Sequence, residues 1–582
     1  MSQQLLFKEV GYTVSALLDQ IEMGTIGLPD LQRPFVWKNA KVRDLLDSMY
    51  RGYPVGYLLF WQNPSGSDVR AIGTGDKQRE ADLLIVDGQQ RLTSLFAVIK
   101  GKAVVREDFS ESAIEIAFHP PTGEFKVADN AIRRSHQWIS NVSRVWAADT
   151  NLFAMVGDYL TALREVQDVD AQDERRIQNN IQKLHNLANY PFQTLELLSS
   201  VDIEEVSDIF QRINSKGETL NQADFILTLM SVYWKEGREA LEDFSRDSKQ
   251  PGNGKTPWNH FIQPSPDQML RVEIGYGFKR GRLEYAYQLL RGKNLATKHV
   301  SDTYREEQFA RLKKSQADTL NLQHWKDYLK CLVQAGFRSG SLVTSRTALL
   351  YCYVFYLLGK LEYGVGEATL RRTIARWFFA SHLTRRYTSS PESALEQDLL
   401  QLRDVHDADA FTALLDQNIA ANLTNDYWQY TLPEQLDTST GRSPALSGYF
   451  AALCLLDATV LFSKLKISSL LDPTTDAARN ALERHHLFPK QWLIENGYPD
   501  IYQTNQIANY AMIEWPDNME ILDSAPSEYW PTFTDRYTEK EWEQMHYWHA
   551  LPEGWEQMHY MDFIRQRRIL IAQVTRDGFR QI

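Results

Sequence analysis

Cysteine is scarce. The only three, Cys331, Cys352 and Cys454, are too few and too widely spaced for a disulfide framework or a cysteine-based zinc site, and they fit a reducing compartment. A basic-then-apolar pattern is lacking in Met1-Ser2-Gln3-Gln4-Leu5, so no leader is expected. The most apolar run, Ala348 to Leu358, is too short to span a bilayer and is closed by Gly359-Lys360. The expectation is a cytoplasmic protein without a membrane partner. Positive charge is in deficit: 63 Lys and Arg against 75 Asp and Glu give a net charge of -12, which excludes a wholly basic nucleic-acid coat. A local basic groove stays open, because affinity follows the charges at the contact. Neither a helicase motif nor a P-loop occurs. Gly254-Lys255-Thr256 imitates the P-loop, but Lys249 stands where its first glycine belongs and Pro257 follows at once.

What is present is an ordinary globular composition, 43% hydrophobic and 24% charged, with length for roughly three or four domains. Leu28 to Trp37 frames Gln32 and Arg33 with apolar residues. A helix is predicted next, capped by Asn39, with Val42, Leu45, Leu46, Met49 and Tyr50 on one face and Gly52 as its stop. Tyr57 to Trp61 reads as a buried strand, and Asn63 to Glu80 as a surface loop. Leu83-Leu84-Ile85-Val86 is a second buried strand, and Leu92, Leu95, Phe96 and Ile99 mark an amphipathic helix. Between them lies Asp87-Gly88-Gln89-Gln90-Arg91. A strand entering a helix through a glycine turn brings backbone N–H groups to where an anion can bind. Arg91 suits a bidentate phosphate contact, and Asp87 a metal-ligand or base role. The competing use is structural, with Asp87 as cap and Arg91 paired to a carboxylate. Further on, Val206, Ile209, Phe210 and Ile213 form a helix face that ends at Asn214 to Gly217.

From about Trp258 to Leu402 the periodicity is mainly helical. Arg371, Arg372, Arg376, Arg385 and Arg386 make this stretch basic, suiting either a DNA-facing surface or internal salt bridges. Near the end, Trp542 to Tyr547 recurs unchanged as Trp555 to Tyr560, a local duplication. The second copy leads into Phe563 to Arg568, whose arginines are candidates for phosphate contacts.

The remaining chemical centre is His485-His486-Leu487-Phe488-Pro489, followed by Asn509 and Asn518. Phosphodiester cleavage needs a base for water and a cation for the phosphate oxygens. A neutral imidazole suits the first role, and an imidazole plus an amide oxygen suits the second. Adjacent strand residues point to opposite faces, so the two histidines converge only if the chain bends, as Pro489 suggests.

The order of these residues resembles the HNH (His-Me finger) nucleases, built on a ββα unit around one divalent metal. That resemblance implies His486 as general base, Asn509 as the residue orienting it, and His485 with Asn518 as ligands of Mg²⁺ or Mn²⁺. The family often has Asp where His485 stands. The first half is similar to the N-terminal, ParB/sulfiredoxin-like domain of GmrSD-type modification-dependent (type IV) restriction enzymes. The likeness rests on Leu28 to Trp37, the DGQQR turn, and Phe210 to Leu220. It implies a pocket for a nucleoside triphosphate of unspecified base, lined by Gln32, Arg33, Asp87, Gly88, Gln89, Gln90, Arg91, Arg212 and Asn214, with Asp87 in hydrolysis.

The expected fold class is α+β, predominantly helical. The expected domains are a nucleotide-binding sensor over 1–245, a helical linker over 246–405 and an HNH nuclease over 406–582. The implied activity is restriction of double-stranded phage DNA carrying modified cytosine, such as glucosylated hydroxymethylcytosine, gated by nucleotide, with a homodimer as a candidate assembly. Two alternatives stand beside it: a nucleotide-dependent DNA-binding switch with a degenerate nuclease end, and a non-specific nuclease toxin.

Overall fold

A computed structural model describes residues 5–29, 35, 37–62, 69–70, 82–106, 110–201, 205–206, 209, 222–252, 254–474 and 482–582. The chain is α+β and predominantly helical, and it divides into two units, Met1–Glu236 and Gly237–Ile582. No helix among the described residues is long and apolar enough to cross a membrane.

The first unit is built on a six-stranded mixed sheet. Its strands are β1 (Phe7–Thr13), β2 (Ile26–Pro29), β3 (Leu58–Gln62), β4 (Val69–Arg70), β5 (Leu83–Asp87) and β6 (Pro191–Leu197), in the order β1-β6-β3-β5-β2-β4. β6 runs parallel to β3, and β2 parallel to β5; the other pairs are antiparallel. Period-two alternation divides the buried residues between two faces. Leu58, Phe60, Leu83 and Ile85 join the large core, with helices α1 (Val14–Met23), α2 (Asn39–Tyr50) and α3 (Gln89–Ile99). Leu59, Trp61, Leu84 and Val86 face a smaller cluster with Val201 and Val206. The predicted apolar face of α2 is buried throughout, and Gly52 follows it at φ +76°. The predicted cap differs. Lys38 is the N-cap, while the Asn39 side chain accepts a 2.6 Å hydrogen bond from Arg106.

The second unit is helical until its last third. Here α4 (Arg346–Leu357) and α5 (Glu367–Leu383) are buried over most of their length. Of the basic side chains on and just after α5, three are used internally. Arg371 pairs with Glu367, Arg376 with Asp416, and Arg386 with Asp398 on α6 (Pro391–Gln401). Asp398 is almost fully buried and also accepts from the Tyr387 hydroxyl at 2.7 Å. Each partner therefore offsets the desolvation of another. The expected 405/406 boundary lies inside this unit. Phe379 on α5 meets Phe579, near the C-terminus, with ring centroids 5.4 Å apart. The three cysteines are free and buried.

The C-terminal part carries a ββα arrangement: β7 (Leu482–His486) pairs antiparallel with β8 (Tyr510–Glu514), which leads into α7 (Trp515–Ile521). The long helix α8 (Tyr560–Phe579) follows. The duplicated hexapeptide adopts two conformations. Its first copy lies in the helix Glu539–Trp548; its second is a 3₁₀ turn, Trp555–Gln557, leading into α8.

Gly88 joins β5 to α3 at φ +96°, and a Cβ there would stand 2.2 Å from Leu58 Cδ2. Gly88→Ala should therefore destabilise the first unit by about 2–4 kcal/mol, combining left-handed backbone strain with overpacking. Differential scanning calorimetry should show the first unit's transition moving down while the second unit's stays in place.

Candidate functional site

Two groups of predicted residues are assembled, one in each unit. In the first, β5 delivers Asp87 to the start of α3, and Gly88, having no side chain, leaves the first turn of that helix without a side-chain cap. The Arg91 guanidinium turns back. One nitrogen holds Asp87 Oδ2 at 2.9 Å and another the Val55 carbonyl at 2.7 Å. The Gln90 side chain accepts from the Trp37 N–H at 3.4 Å, and Gln89 is half-buried beside it. Arg91 is paired to a carboxylate, whereas Asp87 does not cap the helix; the guanidinium braces the turn against the loop entering β3. Gln32, Arg33, Arg212 and Asn214 lie outside the described residues.

In the second unit the strand alternation of β7 gives its two histidines different partners. His485 is buried, and its Nδ1 lies 2.8 Å from Asn518 Oδ1 on α7. Its Nε2 is buried without a hydrogen-bond partner among the described residues. Burial holds the His485 ring down at about 4, against an ordinary 6.5, so it is neutral at pH 7. His486 is half-buried against Tyr510, with ring centroids 4.7 Å apart, and its Nε2 lies 3.2 Å from Asn505 Oδ1. Burial also lowers the pKa of this imidazole. With the amide oxygen of Asn505 facing Nε2, the proton resides on Nε2 and the lone pair on Nδ1, the tautomer that can accept a proton.

Asn505 was not among the predicted residues; its one sequence signal is its place four residues before Asn509. The role expected of Asn509 needs correction. This fully buried side chain does not meet His486. Its Nδ2 donates to the Phe488 carbonyl and its Oδ1 accepts from the Phe488 N–H, both at 2.9 Å. With the Leu487 N–H donating to the Asn509 carbonyl at 2.9 Å, the amide seals the bend after β7 to the turn before β8. A buried backbone segment needs its polar groups paired, and Asn509 pairs both. The bend expected between the histidines is absent: β7 runs through both to His486, and the chain turns only afterwards, where Pro489 caps the short helix Lys490–Glu495.

The turn is held from behind by Arg567 on α8. This fully buried guanidinium donates to the carbonyls of Ala508 (2.5 Å), Tyr510 (2.8 Å) and His549 (3.1 Å). Burial lowers its pKa to about 10. It is therefore no phosphate contact, which corrects the expectation for this arginine run. Arg568 pairs with Asp437 at 2.6 Å, and only Arg565 is largely exposed.

His485 and Asn518 are the pair that fits a metal. Their 2.8 Å separation suits two adjacent positions of an octahedral ion, about 3 Å apart. Among the described residues no three His, Cys, Asp or Glu side chains converge on a metal position. One imidazole and one amide oxygen suit a hard cation that keeps several waters better than zinc.

Both histidines resist protonation in the folded chain, so their contribution to stability is full above about 6.5 and falls as pH drops from there toward the folded value, about 4 for His485. NMR titration of ¹³C-labelled histidine should show His485 titrating near pH 4, with His486 below the ordinary range. A His485 titration at 6.5 would contradict its burial.

Comparison with known proteins is consistent with this layout. Residues 14–231 match the family described as the N-terminal domain of GmrSD restriction endonuclease. An uncharacterized protein of Methanocaldococcus jannaschii is 22% identical over 572 residues, covering 90% of this chain and 87% of its own length, so the likeness runs through both units.

Proposed function

We propose that the chain is a modification-dependent DNA endonuclease that hydrolyses phosphodiesters at the ββα site, with the DGQQR turn as a nucleotide site controlling it. The observation that carries this reading is the pairing of His486 with Asn505 next to the His485–Asn518 pair. A neutral imidazole with a fixed tautomer is a ready acceptor for a water proton. His486 Nδ1 takes that proton as the water oxygen attacks phosphorus and the bond from phosphorus to the departing sugar oxygen breaks, that oxygen taking a proton from water; the Nε2–H to Asn505 steadies the imidazolium that forms. His485 and Asn518 would hold Mg²⁺ or Mn²⁺, which supplies charge stabilisation to the phosphate oxygens. Asn509 acts as a positioning residue, fixing the bend that carries the histidine pair.

The further elements of the reading extend from the GmrSD match. The substrate is double-stranded phage DNA with modified cytosine, glucosylated hydroxymethylcytosine being the first to try. A nucleoside triphosphate at Asp87 to Arg91 gates cutting, in a cytoplasmic enzyme for which a homodimer is the assembly to test. The turn supports a control role in a physical way. Asp87, Arg91 and the Val55 carbonyl form one linked group, so an anion drawing Arg91 away would loosen both the turn and the loop into β3.

The test is cleavage of matched plain, hydroxymethylated and glucosylated DNA with Mg²⁺ or Mn²⁺, with and without nucleotides. His486→Ala should lower the rate by about 10²–10⁴ on every cut substrate. Asp87→Ala should alter the nucleotide response while leaving the metal requirement unchanged. Equal cutting of plain and modified DNA would remove the modification reading, and undiminished cutting by His486→Ala would remove the proposed base.

A further inference from the structure

The second unit holds a cavity of about 600 Å³ between the helix Leu283–Leu290 and α6 with its 3₁₀ continuation, Leu402–Asp404. Its wall is fixed by one buried carboxylate. Glu396 Oε1 pairs with Arg280 at 2.8 Å, and Glu396 Oε2 accepts from the N–H groups of Gly281 (2.6 Å) and Arg282 (3.2 Å). Gly281 lies so close to α6 that a Cβ would stand 2.3 Å from the Glu396 nitrogen, which seats this loop directly on the helix.

The charge balance of the cavity is uneven. Glu396 is neutralised by Arg280, and the neighbouring Glu392 by Arg271. The other two arginines of the lining, Arg282 and Arg403, have no carboxylate within ion-pair distance among the described residues. Among the described residues the Arg282 side chain meets only the neutral Ser393 hydroxyl, at 3.2 Å. Two guanidinium groups without counter-charge therefore line a concave space together with the ring of Tyr285 and the side-chain amides of Gln288 and Gln397. Arginine forks suit phosphate oxygens, and amides can both donate to and accept from a base edge. The Arg280 guanidinium covers one face of the Tyr285 ring, 5.3 Å from its centroid, so the ring offers a base its other face or its edge. The volume falls within the usual range for small-ligand sites, roughly 300–1,000 Å³.

We propose that this cavity binds a single nucleotide unit, its phosphate held by Arg282 and Arg403 and its base read by Tyr285, Gln288 and Gln397. The chemistry is the same whether the unit is a free nucleotide or a nucleotide turned out of a DNA strand. The site is separate from both groups described above, so it stands whatever becomes of the nuclease reading. Only the DNA source rests on that reading.

The test is isothermal titration of the full chain with dCMP, deoxycytidine, inorganic phosphate and a single-stranded dodecamer, joined to hydrogen exchange over residues 280–290 and 393–404. Arg282→Gln/Arg403→Gln is compared with Asp87→Ala, which reports on the DGQQR turn instead. Both arginines are exposed and unpaired with acids, and thermal melting checks that the double variant folds. dCMP should protect both segments. The double variant should weaken that site at least about tenfold, and Asp87→Ala should leave it unchanged. Protection by the dodecamer, competing with dCMP, would support the proposal with DNA as the source. Protection by dCMP alone would support it with a free nucleotide. The proposal is overturned if neither segment is protected, if inorganic phosphate or deoxycytidine binds as well as dCMP, or if the double variant binds normally.

Discussion

The C-terminal site depends on a buried cation. Arg567 carries its charge into a fully buried position and meets three backbone carbonyls there, with no carboxylate among the described residues to neutralise it. Hydrogen bonds from charged donors are the stronger kind, and removing them would strand carbonyls at about 1–3 kcal/mol each. Two of those carbonyls, Ala508 and Tyr510, flank Asn509, whose amide in turn closes on Phe488. The positions of His485 and His486 follow from this chain of contacts: helix to turn, turn to bend, bend to strand. Tyr529 completes it from the other side, its hydroxyl donating to the Leu487 carbonyl at 2.6 Å. The chemistry assigned to the imidazoles thus rests on groups that never approach a substrate.

The DGQQR turn uses a related device at lower burial. Arg91 joins the helix, the strand end and the incoming loop through Asp87 and Val55, so one guanidinium spans three segments. Arg567 is sealed in, whereas Arg91 retains some solvent contact. That difference in burial separates a fixed brace from the group we propose responds to an anion.

Much of this was legible in the sequence. Periodicity located α2, α3, β3 and β5, because their burial follows residue spacing directly. The order of His485, His486, Asn509 and Asn518 pointed to a candidate site, and His485 and Asn518 do meet. The role of Asn509 was misread, because motif order says that an amide is needed but not which group it pairs with. Asn505 escaped notice because it becomes a neighbour of His486 only through the fold. The internal use of Arg567 was hidden for the same reason: an arginine on an amphipathic terminal helix reads as solvated until the turn beneath it is known. The two copies of Trp-Glu-Gln-Met-His-Tyr make the point most plainly. Identical residues form a helix at 542–547 and a 3₁₀ turn at 555–557, so tertiary packing overrides local propensity.

The central claim is that the His486 imidazole accepts the proton of the attacking water. Chemical rescue tests it most directly: His486→Gly would be assayed for metal-supported DNA cleavage with imidazole added in increasing concentration. The account predicts very low cutting by the variant alone, and recovery that follows the free-base fraction of imidazole as pH is varied. Cutting by His486→Gly at the wild-type rate, indifferent to imidazole, would contradict it.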